Sequence, residues 1–450
     1  MDDDSTDLDH IPGEYGLPLV GLFPEFVRDA HALERRMSAA YGPVCVRKVI
    51  GRPVVTASTI DVVGGVLGDR ERCYSSRDGW EHALGKLFPR GLMLRDFDDH
   101  LRHRRIMQVA FRKSARAAYQ ETVDREARRT VDGWDRGRDF PIYPAIKRAL
   151  LEQAATVFLG VPLGADAELI GRCFTDMIAA SLTLVRRELP GTAWRRGMVA
   201  RRRLAAFLRD ELPRRRDPAA AALPDVFSLL CRAEDEHGDR FSDDEVVDHM
   251  IFLLFAAHDT TASGLTALLE HLSRDPALQE QARQQSLALG LGPGQPLAHE
   301  HLDALELIDR CFRETLRLTP PVPYLMRRTV RACPLGEHQL PARTPIAVNV
   351  WLTHTDPSRW PEPERFDPDR HLPEHGPPRE QQGWIPFGAG AHRCIGADFA
   401  RQQVLTFCHH LLMHCRISAV GPPADWQWVP LPRPKNGLPL RLEAHPDLSA

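Results

Sequence analysis

The sequence predicts a mainly α fold with a minor β portion, built as one domain over residues 1–450. Three observations carry this. From about residue 98 to 285, apolar residues recur at helical spacing, and prolines collect at breaks such as ELPGT, ELPRRRDP and RDPAL. Residues 20–60 instead alternate the β-branched stretches VCVRKVI and PVVTAS with Gly and Pro, the pattern of a small antiparallel hairpin. After Glu314 the chain becomes rich in Pro and aromatic residues, which suits short strands followed by a long ordered meander.

The first element in order is the acidic, then turn-forming, start MDDDSTDLDHIPGEYGLPL, and about residues 1–18 of it are expected to be flexible. It has neither a basic segment nor an apolar run of spanning length, so no signal peptide or membrane anchor is expected. Nine cysteines are an odd number without a CxxC pair, which points to a reducing cytoplasm rather than a disulfide framework. A balance of 58 basic against 61 acidic residues, net charge -3, argues against a nucleic-acid partner.

The longest predicted helix is FSDDEVVDHMIFLLFAAHDTTASGLTALLEHLSRDP, which opens with Ser242 and Glu245 in capping-box spacing and stops before Asp275-Pro276. At about 1.5 Å per residue it spans about 50 Å and must cross the core. Inside its apolar middle sit His258, Asp259, Thr260 and Thr261, polar groups that cost a few kcal/mol each if buried without partners. Two explanations stand. Either the threonines bond back to carbonyls one turn earlier and Asp259 pairs with a buried cation, or the residues serve a site. One more helix is expected from just past Cys394 to about His414. The end, VPLPRPKNGLPLRLEA, reads as a turn between two short strands.

In FGAGAHRCIG, Phe387 to Gly396, one cysteine stands among small residues. A GxGxxG nucleotide loop fails, because Arg393 occupies the place of the third glycine. His392 is too near in sequence to serve as base for a Cys394 nucleophile. A structural zinc would need three more ligands, and the candidates Cys408, His409, His410, His414 and Cys415 fit a partly buried helix better. Cys394 at a helix N-terminus, ringed by backbone N–H groups, suits a thiolate that binds a soft or oxidisable metal from one side.

This segment resembles the haem-binding loop of the cytochrome P-450 superfamily, FxxGxxxCxG, with Phe387, Gly390, Cys394 and Gly396 in register. Three further segments agree in order. Glu314 and Arg317 in FRETLRLTPP match the ExxR motif, completed by Arg370 in FDPDRHL. AAHDTT resembles the oxygen-binding segment, with Asp259 and Thr260 as its acid-alcohol pair. DDHLRHRRIMQVAF resembles the helix whose His100 and Arg104 reach the haem propionates. The likeness runs from about Ile11 to Leu442.

The resemblance implies a P-450 fold and a haem b cofactor with Cys394 as axial iron ligand. Arg327 and His392 join His100 and Arg104 as propionate partners, Phe387 and Gly388 flank the haem, and Glu314, Arg317 and Arg370 form a structural cluster. It implies a haem-thiolate monooxygenase that inserts one oxygen atom from O2 into a hydrophobic molecule, with Asp259 and Thr260 delivering protons. Electrons would come from a separate ferredoxin or flavodoxin with its reductase, steered by Arg102, Arg105, Arg112, Lys113 and Arg393. The implied pocket lining is Trp80 to Met93, Phe252, Phe255, Ala256, Val322 to Met326 and Pro432 to Leu438.

ELPGTAWRRGMVARRRLAAFL and PRPKNGLPL resemble the branch of retinoid, steroid and isoprenoid hydroxylases, so an isoprenoid or steroid-like substrate is expected. A fatty acid or polyketide is the alternative, and a haem-thiolate sensor or binding protein is the alternative of another class. The basic run Arg195 to Arg203 reads as a solvated helix face. Two departures from the pattern stand out: Ala257 replaces a usual glycine, and His371 replaces a usual phenylalanine, leaving Arg365 as a competitor of Arg370.

Overall fold

The computed structural model describes residues 7–49, 51–160, 165–181, 183, 186–217, 225–375 and 383–445. Its largest sheet ties distant parts of the chain together. β1 (Gly13–Glu14), β2 (Val44–Lys48), β3 (Pro53–Ala57) and β4 (Tyr74–Ser75) belong to it, joined by β6 (Tyr324–Thr329) and β9 (Pro345–Asn349) in the order β1-β2-β3-β9-β6-β4. The expected hairpin is β2 against β3, antiparallel with Val46 opposite Val55. β9 adds in parallel, Ile346 opposite Val55, and carries β6 with Arg327 opposite Ile346. The remaining strands are β5 (Asp139–Pro141), β7 (Cys333–Leu335), β8 (His338–Leu340), β10 (Cys415–Ala419), β11 (Trp426–Gln427), β12 (Arg433–Pro434) and β13 (Pro439–Ala444).

The helices begin with α1 (Phe23–Arg28), α2 (Ala30–Tyr41), α3 (Ile60–Gly68), α4 (Ser76–Leu84), α5 (Phe97–Gln108) and α6 (Lys113–Asp132). They continue with α7 (Ile142–Leu159), α8 (Ala165–Ser181), α9 (Ala193–Arg216), α10 (Val226–Arg232), α11 (Asp243–Arg274) and α12 (Pro276–Leu287). After these come α13 (Glu306–Leu318), α14 (Val350–His354) and α15 (Ala397–His414). The predicted mainly α class holds. α11 starts where the capping box placed it: the Ser242 side chain accepts from the Glu245 N–H, and Glu245 Oε2 accepts from the Ser242 N–H at 2.9 Å. Its N-terminal half packs in one apolar cluster with Phe88, Ile106, Phe158 and Leu208, and its C-terminal half in another with Ile308, Phe312, Leu405 and Leu411. Each such buried side chain contributes roughly 1.5–3 kcal/mol. α11 is long and apolar enough to cross a membrane, and 72% of its most apolar window is buried inside the protein.

Two expectations change and a third gains detail. Residues 1–6 lie outside the described residues, but the chain is not a loose tail up to residue 18. Leu8 and Ile11 are buried, and β1 pairs in parallel with β2, because two apolar side chains find a pocket on the sheet. The proline break at ELPRRRDP falls late: Pro213 lies inside α9, which continues to Arg216. Arg215 holds that last turn, with its guanidinium on Asp225 and Ser228 at 2.5 and 3.0 Å. The C-terminal turn lies between two short strands as expected, β12 and β13, although these pair with other strands. β12 pairs with β11, whereas β13 pairs with β10 and β5, since Pro439–Leu440 meets Phe140–Pro141.

Candidate functional site

The cysteine loop is shaped by its backbone. Cys394 N–H donates to the Phe387 carbonyl at 2.8 Å, Arg393 N–H to Gly390 at 3.2 Å and Gly388 N–H to Ile385 at 2.9 Å. Gly388 and Gly390 hold φ of 67° and 64°, left-handed values that disfavour a side chain. At Gly390 a Cβ would lie 2.0 Å from the Leu67 carbonyl oxygen, so only glycine fits there. The Ile385 N–H donates to His354 Nε2 at 2.8 Å and anchors the loop's start. The Phe387 ring meets Trp384 at 6.0 Å, and Phe387, Gly388 and Arg393 border a crevice of about 260 Å³.

Among the nine free cysteines, Cys394 alone is exposed. Protein nevertheless packs near its sulfur, and this desolvation raises the thiol above its ordinary range, against the pull of the Gly396 N–H, Arg104 and Arg393. The loop on its own favours the neutral thiol. A helix N-terminus does not suffice to ionise it, and a bound metal would.

Four basic groups gather beside this loop. His100 and Arg104 come from α5, Arg327 from β6 and His392 from the loop itself. The His100 and His392 rings lie 3.8 Å apart between centroids, and Arg104 Nη1 donates to the Arg393 carbonyl at 2.6 Å. Burial pushes His100 down to about 4 and His392 to about 2, each further depressed by its positive neighbours, and lowers Arg327 to about 10. Burial also lowers Arg104. Among the described residues none of the four has a carboxylate within ion-pair distance, and His100 Nδ1 is buried without a hydrogen-bond partner. A cluster of this kind is relieved by a multiply charged anion. One sulfur donor and four basic groups therefore fit haem with its two propionates.

α11 passes nearby. Most of its middle is buried, but Phe255, Ala256, Ala257 and Thr260 share a partly exposed face. Two segments expected to line a pocket, Trp80 to Met93 and Pro432 to Leu438, touch α11. Phe88 meets Phe255 at 4.5 Å, a Cβ at Gly91 would touch the Phe252 ring at 2.8 Å, and Ser263 donates to the Pro432 carbonyl at 2.7 Å. Leu325 lies 3.5 Å from a Cβ built at Gly388. Two members of the polar island have the partners that ordinary helix satisfaction calls for, whereas His258 Nδ1 is buried without a hydrogen-bond partner. Thr260 Oγ1 donates to the Ala256 carbonyl at 2.8 Å, and Asp259 Oδ1 pairs with Lys147 Nζ at 2.6 Å. Lys147 comes from α7 and carries no sequence signal of its own. α11 runs unbroken through Ala257.

Beneath the loop, Glu314 accepts from Arg317 Nε and Nη2 at 2.8 Å each, with both side chains fully buried. Arg370 Nε lies 3.4 Å from Glu314 Oε1, whereas Arg365 turns its guanidinium to Glu362 and offers only its carbonyl to Arg317. Arg370 is thus the third member. Sequence reasoning missed a fourth: His371 Nε2 contacts Glu314 Oε2 at 3.1 Å, and His354 Nδ1 contacts the Arg317 carbonyl at 3.0 Å. The signal for it is the histidine at 371 in place of the usual phenylalanine. Arg102 and Arg105 are engaged by Asp235 and Glu236 at 3.3 and 2.7 Å, so Arg112, Lys113 and Arg393, all exposed, remain the members of that set without a carboxylate partner among the described residues. His410 pairs with Asp124 at 2.6 Å, and no metal cluster occurs among the described residues.

A thiol-bearing glycine loop, four basic groups beside it and a long core helix across from it define a haem-thiolate architecture. The chain matches the family model described as Cytochrome P450 over residues 11–435 and belongs to the cytochrome P450 family. It is 36% identical to cytochrome P450 136 of Mycobacterium tuberculosis over 440 residues, covering 96% of this chain and 88% of that one. It is 27% identical to beta-amyrin 28-monooxygenase of Solanum lycopersicum, covering 81% and 78%. The retinoic acid bound cyanobacterial CYP120A1 superposes with a TM-score of 0.86 at 26% identity, over 97% of this chain and 99% of that one. The protein is a monooxygenase whose cofactor is haem b, bound in this family through a cysteine thiolate.

Proposed function

We propose that this monooxygenase hydroxylates an isoprenoid or steroid-like molecule, and that Cys394 would supply the thiolate bound to the haem iron while His100, Arg104, Arg327 and His392 would hold the propionates. The observation that carries the residue assignment is the meeting of the one exposed cysteine with four basic groups that have no carboxylate partner among the described residues. The substrate class is supported by the apolar lining from Phe88, Phe252, Phe255 and Leu325, and by relatives whose names refer to beta-amyrin and retinoic acid.

When bound, the haem supplies oxygen activation at an iron whose thiolate ligand pushes electron density onto the metal. The chain's part is to orient and to move protons. Because the Thr260 hydrogen is committed to Ala256, its Oγ1 presents lone pairs on the partly exposed face and accepts a hydrogen bond there. Asp259 reaches solvent through Lys147, whose side chain is 30% exposed, so breaking that pair connects a buried carboxylate with bulk protons. Arg112, Lys113 and Arg393 form the basic face on which an acidic ferredoxin or flavodoxin docks in the cytoplasm.

The test is a screen of terpenoids, steroids and fatty acids for shifts of the haem absorption band, followed by product analysis with a ferredoxin and its reductase. Terpenoid or steroid shifts with hydroxylated product are the expected result. Shifts confined to fatty acids would overturn the substrate class.

A further inference from the structure

The basic run on α9 is not absorbed by this function, and it borders a second concave surface. α8 and α9 pack so closely that a Cβ at Gly197 would lie 2.3 Å from the Ala180 Cβ. Beside this seam opens a crevice of about 390 Å³, within the size range of small-molecule sites. Its apolar lining is Leu169, Cys173, Val199 and Ala200, and beside these it carries Arg172, Arg195, Arg196 and Arg203 against a single acid, Asp176.

The charges do not balance locally. Arg196 is occupied by Asp176 at 3.4 Å and by the Gly191 carbonyl at 3.1 Å, and Arg172 meets Glu168 at the rim at 3.5 Å. Arg195 and Arg203 have no carboxylate within 4 Å among the described residues. Arg195, Val199 and Arg203 recur every four residues, so two guanidinium groups stand along one stripe of α9 with an apolar side chain between them. Arg172 on α8 and Arg203 on α9 both line the crevice together with Cys173. Like charges gathered beside an apolar lining are unfavourable alone and favourable around an oxyanion, which guanidinium forks grip in a bidentate manner.

We propose that this crevice is a binding site, separate from the haem pocket, for an anionic amphiphile: a carboxylate-headed apolar chain with its head on Arg172 and Arg203 and its tail on Leu169 and Val199. The proposal is independent of which molecule is oxidised.

The experiment is calorimetric titration of the haem-loaded full-length protein with dodecanoate, after a bulky azole that ligates the iron has filled the pocket above it. The absorption band then reports the haem pocket, while the heat reports the crevice, so failure of this site and failure of the substrate reading are separable. One dodecanoate should still bind. Dodecanol, which lacks the charge, and inorganic phosphate, which lacks the tail, should each bind at least about tenfold more weakly. Arg172→Gln with Arg203→Gln should weaken dodecanoate at least about tenfold, whereas Arg214→Gln, an exposed arginine on the same helix, should not. Dodecanol binding as tightly as dodecanoate, undiminished binding by the double variant, or no heat once the azole is bound would each overturn the site.

Discussion

Lys147 Nζ lies 2.6 Å from Asp259 Oδ1, so the buried carboxylate in the middle of α11 is held by a cation from a neighbouring helix. The two partners differ in their access to water. Lys147 keeps 30% of its side chain exposed, whereas Asp259 keeps 7%.

That asymmetry sets the first prediction. Lys147→Met strands a buried carboxylate whose other charged neighbour, His258, is driven towards its neutral form by burial. It should cost about 1–3 kcal/mol in chemical unfolding. Asp259→Asn should cost less, because the freed ammonium can turn to solvent. A double-mutant cycle measures the coupling. A coupling energy of zero, with the two single losses simply adding in the double variant, would show that the pair is fully screened.

Burial would raise the Glu314 carboxyl, but hydrogen bonds from Arg317 and His371, with their charges, hold it down at about 2 from an ordinary 4.5. A depressed carboxylate stabilises the fold above its unfolded value, and that stability is lost as pH falls through the folded one. Glu314 therefore contributes on the order of 3 kcal/mol at neutral pH, fading between about pH 4.5 and 2. Glu314→Gln should lose stability at pH 7 and show a flatter pH dependence below 4.5. Urea unfolding from pH 7 down to pH 3 checks this, and parallel curves for both proteins would contradict it.

His371 is fully buried against the same carboxylate. His371→Phe keeps the ring near Trp360 and Trp384 but leaves Glu314 Oε2 short of one partner. A loss of about 1–3 kcal/mol is expected. His371→Asn, which can still donate, should recover part of it. A stable, fully haem-loaded His371→Phe protein would mean that Arg317 and Arg370 satisfy the carboxylate alone.

Cys394→Ala should abolish the red-shifted band of the ferrous carbon monoxide complex that thiolate ligation produces. Cys408→Ala and Cys415→Ala should leave it intact, since both thiols are fully buried away from the loop. Retention of that band in Cys394→Ala would remove the cysteine from the site.

What could be read in the sequence was whatever local chemistry dictates. The capping box at Ser242 and Glu245, the glycines at 388 and 390 and the hairpin at 44–57 are each set by neighbours in the chain. Arg370 was legible through its motif and needed the structure only to exclude Arg365. Lys147 was not legible, because a lysine on an amphipathic helix gives no sign of the carboxylate it will meet on another. The β5–β13 pairing was hidden for the same reason: three residues with one apolar side chain acquire strand character only from their partner. Leu8 and Ile11 were masked by the acidic residues around them, although two apolar side chains sufficed to bind the segment to the sheet.

The last prediction concerns Thr260. Its side chain is no iron ligand and no pillar of the core, for it is partly exposed and its one hydrogen bond returns to its own helix. Thr260→Ala should therefore bind haem and substrate as the wild type does, with unchanged absorption shifts and stability. What it removes is the hydroxyl whose lone pairs face the pocket. Electrons from the reduced donor should still be consumed, but a larger share should leave as hydrogen peroxide and a smaller share as hydroxylated product. Thr260→Ser, which keeps the hydroxyl, should restore most of the coupling. Asp259→Asn should behave differently and slow oxygen consumption itself, because the route for protons from solvent is cut. The measurement is the ratio of product and of peroxide to reduced donor consumed, for the wild type and the three variants. Equal coupling in the wild type and Thr260→Ala would exclude Thr260 from proton handling and leave its hydroxyl as ordinary helix satisfaction.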